Sequence, residues 1–360
     1  MIWHIETASG WVISCFFPEA DMSLDPVLQQ ILDQTPEFET DVLDIPALRK
    51  MADESFSAMI GPGGLVPVAS VEDRELAGPG GTMRIRIYRP EGEIVGTMLH
   101  FYGGAYMLGS IDQIDAVARR FARDLSMVVV TSSYRLAPEE PFPAVHDDVL
   151  FAARWVLDNV GELGGANLPV VLSGESAGGN LVAVTTQALR SQPGSKAVAG
   201  QLLINPSLDL RARAADYPSR RADANPLMDG KFLEQSYRNY AGSHDRADPR
   251  ISPITAEDMT GLPPAVIAVL TVDALHDEAI LCPAPSRGGG VCGRDRIQQP
   301  HARLLHDDRH RAGSRQGGRR DAGTPEEATP VFLTVRTRKS LDRRRPHRSM
   351  SFQDHQQTNR

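Results

Sequence analysis

The stretch Pro169-Val-Val-Leu-Ser-Gly-Glu-Ser-Ala-Gly-Gly-Asn-Leu-Val-Ala183 decides the fold. Val170 to Leu172 is an apolar run that predicts a buried strand, and Leu181, Val182 and Leu189 recur at roughly helical spacing. Between them, Gly174-Glu175-Ser176-Ala177-Gly178 has the form G-x-S-x-G. A serine on a tight strand-to-helix turn presents its hydroxyl above the sheet. Small residues at 174 and 178 let the backbone close that turn, and the helix N-terminus brings amides near developing negative charge. Three fixed positions in five arise often by chance, so the motif alone is weak. The strand before it and the helix after it make it specific; a glycine-rich turn with a bystander serine is the bland alternative.

Outward from this turn, strands and helices alternate. Met127-Val-Val-Val-Thr131 is short and wholly apolar, as a central parallel strand should be. Ile111 to Leu125 predicts a helix with apolar residues at 111, 114, 117, 118, 121 and 125, and Val145 to Leu157 a second. Thr97 to Phe101 is a strand ending at Tyr102-Gly103-Gly104-Ala105-Tyr106, and Met83 to Tyr88 alternates strictly, which predicts a half-buried strand. Gly200 to Asn205 and Ala265 to Leu270 are further buried strands. This order predicts an α/β protein with a doubly wound, mostly parallel sheet. The roughly sixty polar, proline-interrupted residues between the last two strands exceed a βα connection and predict a small separate layer over the strand ends. Asp25 to Met59 carries the pattern of two short amphipathic helices. Met1 to Asp21 has a short apolar run, Trp11 to Phe17, without a basic n-region or a cleavage site, so it is expected to be an upstream in-frame extension ahead of a natural start at Met22.

At 360 residues the chain can hold one large α/β domain with a modest second layer. A formal net charge of -8 gives no reason to expect nucleic acid as a partner. No apolar run approaches the ~20 residues needed to span a bilayer. Cys15, Cys282 and Cys292 stand at unrelated spacings and make neither a disulfide framework nor a zinc site, so no metal is expected and a reducing, cytoplasmic setting is.

A serine nucleophile needs a base, an orienting acid and amide donors for the tetrahedral oxyanion. Ala177, directly after the serine, offers one N–H, and the Gly103-Gly104-Ala105 loop, directly after a strand, offers one or two more. Asp273 is the acid candidate. It lies just past strand 265–270, at the C-terminal end where such sheets place catalytic groups, and the order Ser…Asp suits it. A helix cap is its bland reading. Asp277 and Glu278 read as first-turn residues of the next helix, favoured there by its dipole.

Together these stretches resemble the hormone-sensitive-lipase-like group of α/β-hydrolase carboxylesterases over roughly Leu24 to Leu281. The resemblance rests on Tyr102 to Tyr106 with Gly109-Ser110, and on Tyr134-Arg135-Leu136-Ala137-Pro138-Glu139 with Phe142-Pro143-Ala144 and Asp148. It continues through Gly174 to Asn180, Ser252-Pro253, and Asp273-Ala-Leu-His-Asp277-Glu278. The group usually carries His-Gly-Gly-Gly in the oxyanion loop. Here Tyr102 replaces the histidine and Ala105 the third glycine, which implies altered loop support and substrate fit with the amides retained. Glu175 stands where aspartate is commoner. The resemblance implies an α/β-hydrolase fold in which residues 22–70 and 207–250 form a helical cap around a core of 71–206 and 251–281. It implies hydrolysis of short- to medium-chain esters, Ser176 and Asp273 in catalysis, an oxyanion hole from Gly103, Gly104, Ala105 and Ala177, no cofactor, a small-molecule ester as partner, and room for a homodimer.

The group's histidine follows the aspartate by about thirty residues in a His-Gly-Phe motif, and no such motif occurs here. After Leu281 the chain becomes Cys-Pro-Ala-Pro-Ser-Arg-Gly-Gly-Gly, which predicts neither helix nor strand. Sixteen arginines fall in residues 281–360, so composition shifts sharply at that point. Reading one nucleotide later after Leu281 permits an amphipathic helix, a strand-like run and a His-Gly-Phe motif, its histidine straddling codons 302 and 303. The expectation is therefore a frame-shifted, non-native and disordered tail over 282–360, with the C-terminal strand and helices missing. His301, His306 and His310 are weak candidates for a substitute base. A chain without a base is expected to be inactive; a non-catalytic small-molecule binder on the same fold is the alternative.

Overall fold

Residues 2–6, 11–16, 44–59, 64–190, 198–220, 230–270, 273–281, 292–297 and 336–337 are described by a computed structural model. Its centre is the pair of parallel strands β5 (Gly96–Phe101) and β7 (Val170–Glu175), in register Phe101↔Gly174. Leu99, Phe101 and Leu172 are fully buried, because each strand is covered on both faces. β6 (Met127–Ser132) lies parallel on the far side of β5, with every residue buried. β8 (Gly200–Ile204) and β9 (Ala265–Leu270) extend the parallel run beyond β7.

On the other flank, β4 (Gly81–Arg89) pairs antiparallel with β6, and β3 (Ser70–Gly78) pairs antiparallel with β4. With β10 (Cys292–Ile297) on the outer edge of β9, the strand order is β10-β9-β8-β7-β5-β6-β4-β3. β1 (Ile2–Glu6), β2 (Trp11–Phe16) and β11 (Arg336–Thr337) make a separate three-stranded sheet. The described helices are α1 (Ile45–Met59), α2 (Asp115–Leu125), α3 (Ala144–Asp158), α4 (Val160–Leu163), α5 (Ala177–Arg190), α6 (Gly230–Ala241) and α7 (His276–Leu281).

The α/β-hydrolase class and its mostly parallel sheet agree with the sequence reading; several details differ. The helix expected from Ile111 begins at Asp115. Ile111 and Ile114 are buried in the turn before it, so their apolar character reflects packing and not helical phase. β3 was not expected: its sequence, Ser-Val-Glu-Asp-Arg-Glu-Leu-Ala-Gly, is charged, as suits an edge strand whose outer groups stay wet. Of the two N-terminal helices, α1 is described, and the segment of the first lies outside the described residues. The strand after residue 281, expected to be missing, is present as β10, parallel to β9 from Cys292↔Ala265 to Ile297↔Leu270. An open sheet edge offers a row of main-chain donors and acceptors. An extended segment can pair with it without the apolar pattern by which strands are recognised in sequence.

The weight of the core falls on the strands that carry the serine turn. Leu172→Ala in β7 is expected to cost about 2–5 kcal/mol of folding free energy, read as a shift of the urea denaturation midpoint.

Candidate active site

Ser176 follows β7 directly, with φ 53°, a left-handed conformation uncommon for a residue bearing a side chain. Three main-chain bonds hold it there. Its N–H donates to the Ile204 carbonyl at 2.9 Å, and its own carbonyl accepts from Asn180 N at 3.2 Å and Ser207 N at 3.1 Å. The turn closes because Gly178 has no side chain: a Cβ there would lie 2.2 Å from the Phe101 carbonyl oxygen. The start of α5 is thereby pressed onto the end of β5, which brings the loop after β5 against the serine. A Cβ on Gly103 would lie 3.3 Å from the Cβ of Ser176.

That loop turns through Gly104, Ala105 and Tyr106, all left-handed, with φ of 121°, 54° and 65°. Gly104 O accepts from Met107 N at 3.0 Å and Leu108 N at 2.8 Å, and Tyr106 O accepts from Ala137 N at 2.9 Å. Among the described residues, the N–H groups of Gly103, Gly104, Ala105 and Ala177 donate to no protein acceptor. Successive N–H groups in such a turn form an anion-binding concavity. Tyr102, at the loop's entrance, stacks on Tyr134 with ring centroids 4.2 Å apart, and the Tyr134 hydroxyl donates to the Tyr102 carbonyl at 2.8 Å.

Asp273 sits in the connection from β9 to α7. Its carboxylate accepts Leu275 N–H at 2.8 Å and its carbonyl accepts His276 N at 3.0 Å, so it also caps the helix. Burial pushes its carboxyl up from the usual range, opposed by the Leu275 N–H and by His276. Glu175, beside the serine, is raised by burial and then by the charge of Asp273. Two carboxyl groups thus share the low-dielectric end of the sheet.

Among the described side chains no histidine bonds to Asp273. The His276 ring pairs with Asp277 at 3.0 Å. His100 lies in β5 against Ser173 Oγ at 3.1 Å, and burial pushes it down to about 4. His146, in α3, is lowered by burial, and His244 meets the Ala241 carbonyl at 3.1 Å. His301, His306 and His310 lie outside the described residues. No group of three or more potential metal ligands occurs among the described residues, and none of their helices is long and apolar enough to cross a membrane.

Some contacts around the serine turn were not legible in sequence. Asn180, fully buried, donates from Nδ2 to the carbonyls of Ser207 at 2.8 Å and Ile251 at 2.9 Å. Arg220 forms a buried ion pair with Glu278. A single arginine in a polar insertion carries no local signal; only its burial marks it out.

Residues 98–287 match a family described as the alpha/beta hydrolase fold. The esterase LipI of Mycobacterium tuberculosis is 34% identical over 268 residues, 72% of this chain and 80% of that protein. The carboxylic ester hydrolase LipN of the same organism is 37% identical over 269 residues, 71% of this chain and 70% of that protein. A solved esterase of Pyrobaculum calidifontis superposes with TM-score 0.67 at 35% identity, covering 77% of this chain and 89% of that one. With the serine turn after β7 and the glycine loop after β5, these likenesses establish that the chain belongs to the hormone-sensitive-lipase-like carboxylesterase group of the α/β hydrolases.

Proposed function

We propose that the chain descends from, and retains most of the machinery of, a serine carboxylesterase acting on short- to medium-chain acyl esters. The reading is carried by one observation: a left-handed Ser176 packed against a loop in which the Gly103, Gly104 and Ala105 amides donate to no protein acceptor among the described residues. Ser176 Oγ attacks the ester carbonyl and passes its proton to a base. The carbonyl oxygen becomes an oxyanion that accepts from Ala177 N–H and from N–H groups of Gly103, Gly104 and Ala105. Collapse expels the alcohol, which takes the proton back, and leaves an acyl-serine. Water, deprotonated by the same base, then releases the acid. Asp273 orients the base and stabilises its protonated form.

The base itself is the open position in this mechanism. The family histidine belongs to the frame displaced after Leu281, and His301, His306 and His310 are the substitutes the chain offers.

Turnover of p-nitrophenyl butyrate by the intact chain, with Ser176→Ala as control, tests the proposal. If a tail histidine serves, turnover vanishes in the control, Asp273→Asn lowers kcat by about 10⁴-fold, and substitution at 301, 306 or 310 identifies the base. If the base is lost, the chain matches its control, and restoring the displaced frame after Leu281 brings turnover back. A folded, frame-restored protein that stays inert overturns the esterase assignment.

The buried carboxyls give a second expectation. A carboxyl raised in the folded state stabilises the fold at pH below its unfolded pKa, and that contribution is lost as pH rises through the folded one. Glu175→Gln removes such a group. Its melting temperature is expected to match the unmodified chain at about pH 4 and to exceed it at about pH 8. Equal values at both would show that Glu175 ionises without penalty.

A further inference from the structure

A buried polar assembly behind the serine turn has no part in the chemical steps above. It centres on Arg220, at the end of a short 3-10 turn over Pro218–Arg220, with its side chain 3% exposed. Arg220 Nη2 donates to the Asp209 carbonyl at 2.9 Å and to the Tyr237 hydroxyl at 3.4 Å, and it pairs with the carboxylate of Glu278. The guanidinium carbon lies 5.3 Å from the centroid of the Tyr237 ring and 5.5 Å from that of Tyr217. Glu278, fully buried in α7, also accepts Leu208 N–H at 2.9 Å.

From this centre, contacts run to each part of the candidate site. Tyr237 and Ser207 share a hydroxyl–hydroxyl bond of 2.6 Å, and Ser207 N donates to the Ser176 carbonyl at 3.1 Å. Toward the acid, the residue beside Arg220 grips the loop that carries Asp273: Ser219 N donates to Asp277 at 2.9 Å, and Ser219 Oγ donates to the Ala274 carbonyl at 2.9 Å. Toward the oxyanion loop, Tyr240 lies three residues beyond Tyr237, on the same face of α6. It stacks on Tyr106 with centroids 3.9 Å apart and planes 7° from parallel.

The energetics favour a geometric role over simple adhesion. Desolvating two charges costs about as much as their attraction returns, and an apolar pair of similar volume would hold the insertion to the core at least as well. The ionic arrangement adds direction: each bond fixes one loop relative to another, and displacements near 1 Å at a reacting centre cost roughly 10²-fold in rate.

We infer that Arg220 is a positioning residue, whose buried pair with Glu278 and bond to Tyr237 fix the serine turn, the Asp273 loop and the oxyanion loop in mutual register. The inference rests on the hydrolytic reading of Ser176. It is tested with n-butylboronic acid, whose boron takes a lone pair from Ser176 Oγ while the serine proton leaves to buffer. The resulting tetrahedral boronate occupies the place of the oxyanion. Affinity is measured by calorimetry on the full chain and on Ser176→Ala, Arg220→Met, Arg220→Lys and Tyr237→Phe, with a melting curve for each.

The expected result is a Ser176-dependent affinity that falls by about 10-fold or more in Arg220→Met and recovers in part in Arg220→Lys. Where turnover is measurable, kcat falls with KM unchanged. Tyr237→Phe leaves the ion pair and removes only the hydroxyl that reaches Ser207. It is expected to weaken boronate binding with little change in melting temperature, and it decides the matter if Arg220→Met fails to fold. Variants that bind boronate as the unmodified chain does, whatever their melting temperatures, overturn the inference and leave the hydrolytic reading intact. An unmodified chain that binds no better than Ser176→Ala overturns the hydrolytic reading, and the inference with it.

Discussion

The close approach of helix α5 to the end of β5 is the constraint on which the site depends. Gly178 lies where any side chain would collide with the Phe101 carbonyl. Only with that contact made can Ser176 turn left-handed at the strand end, and only then does Gly103 reach the serine. The parallel pairing of β5 and β7 sets the two loops at one height, since Phe101 and Gly174 are partners in the ladder. A strained serine conformation costs about 1–3 kcal/mol and persists because surrounding structure over-determines it. Here the bonds to Ile204, Asn180 and Ser207 do so.

The glycine loop after β5 is held from outside in the same way. Tyr102 occupies the position where the family carries histidine, and its ring lies flat on Tyr134. Tyr134 is fixed through its neighbour: Asp148, almost wholly buried in α3, accepts from Arg135 N, Nε and Nη2, each at 2.9 Å. A carboxylate bound by a backbone amide and by Nε and Nη2 of one guanidinium is geometrically specific. The stretch Tyr134 to Glu139 is thus a brace for the glycine loop, which gives its place in the family motif a physical meaning.

Charge is concentrated at the C-terminal end of the sheet at some cost. Burial raises Glu175, Asp273 and Glu278 alike. Two of them have a counterweight: the Leu275 N–H and His276 oppose the rise at Asp273, and Arg220 with Leu208 N–H opposes it at Glu278, whereas the charge of Asp273 adds to the rise at Glu175.

The sequence by itself determined the class of fold and marked the serine turn and the glycine loop that the structure brings together. Buried strands are mostly apolar, so β5, β6, β7, β8 and β9 stand out as runs. The serine turn and the glycine loop need small residues at fixed spacing, which leaves a readable pattern. The edges were not legible. β3 is charged because its outer side stays wet, and β10 joins β9 through main-chain bonds that impose no side-chain rule. Nor were the long-range partners: Arg220 and Glu278 are 58 residues apart, and Tyr106 and Tyr240 are farther still. Local chemistry writes itself into neighbouring letters. Contacts between distant segments depend on how the layers close, and only the tertiary structure decided that Arg220 should stand behind the serine.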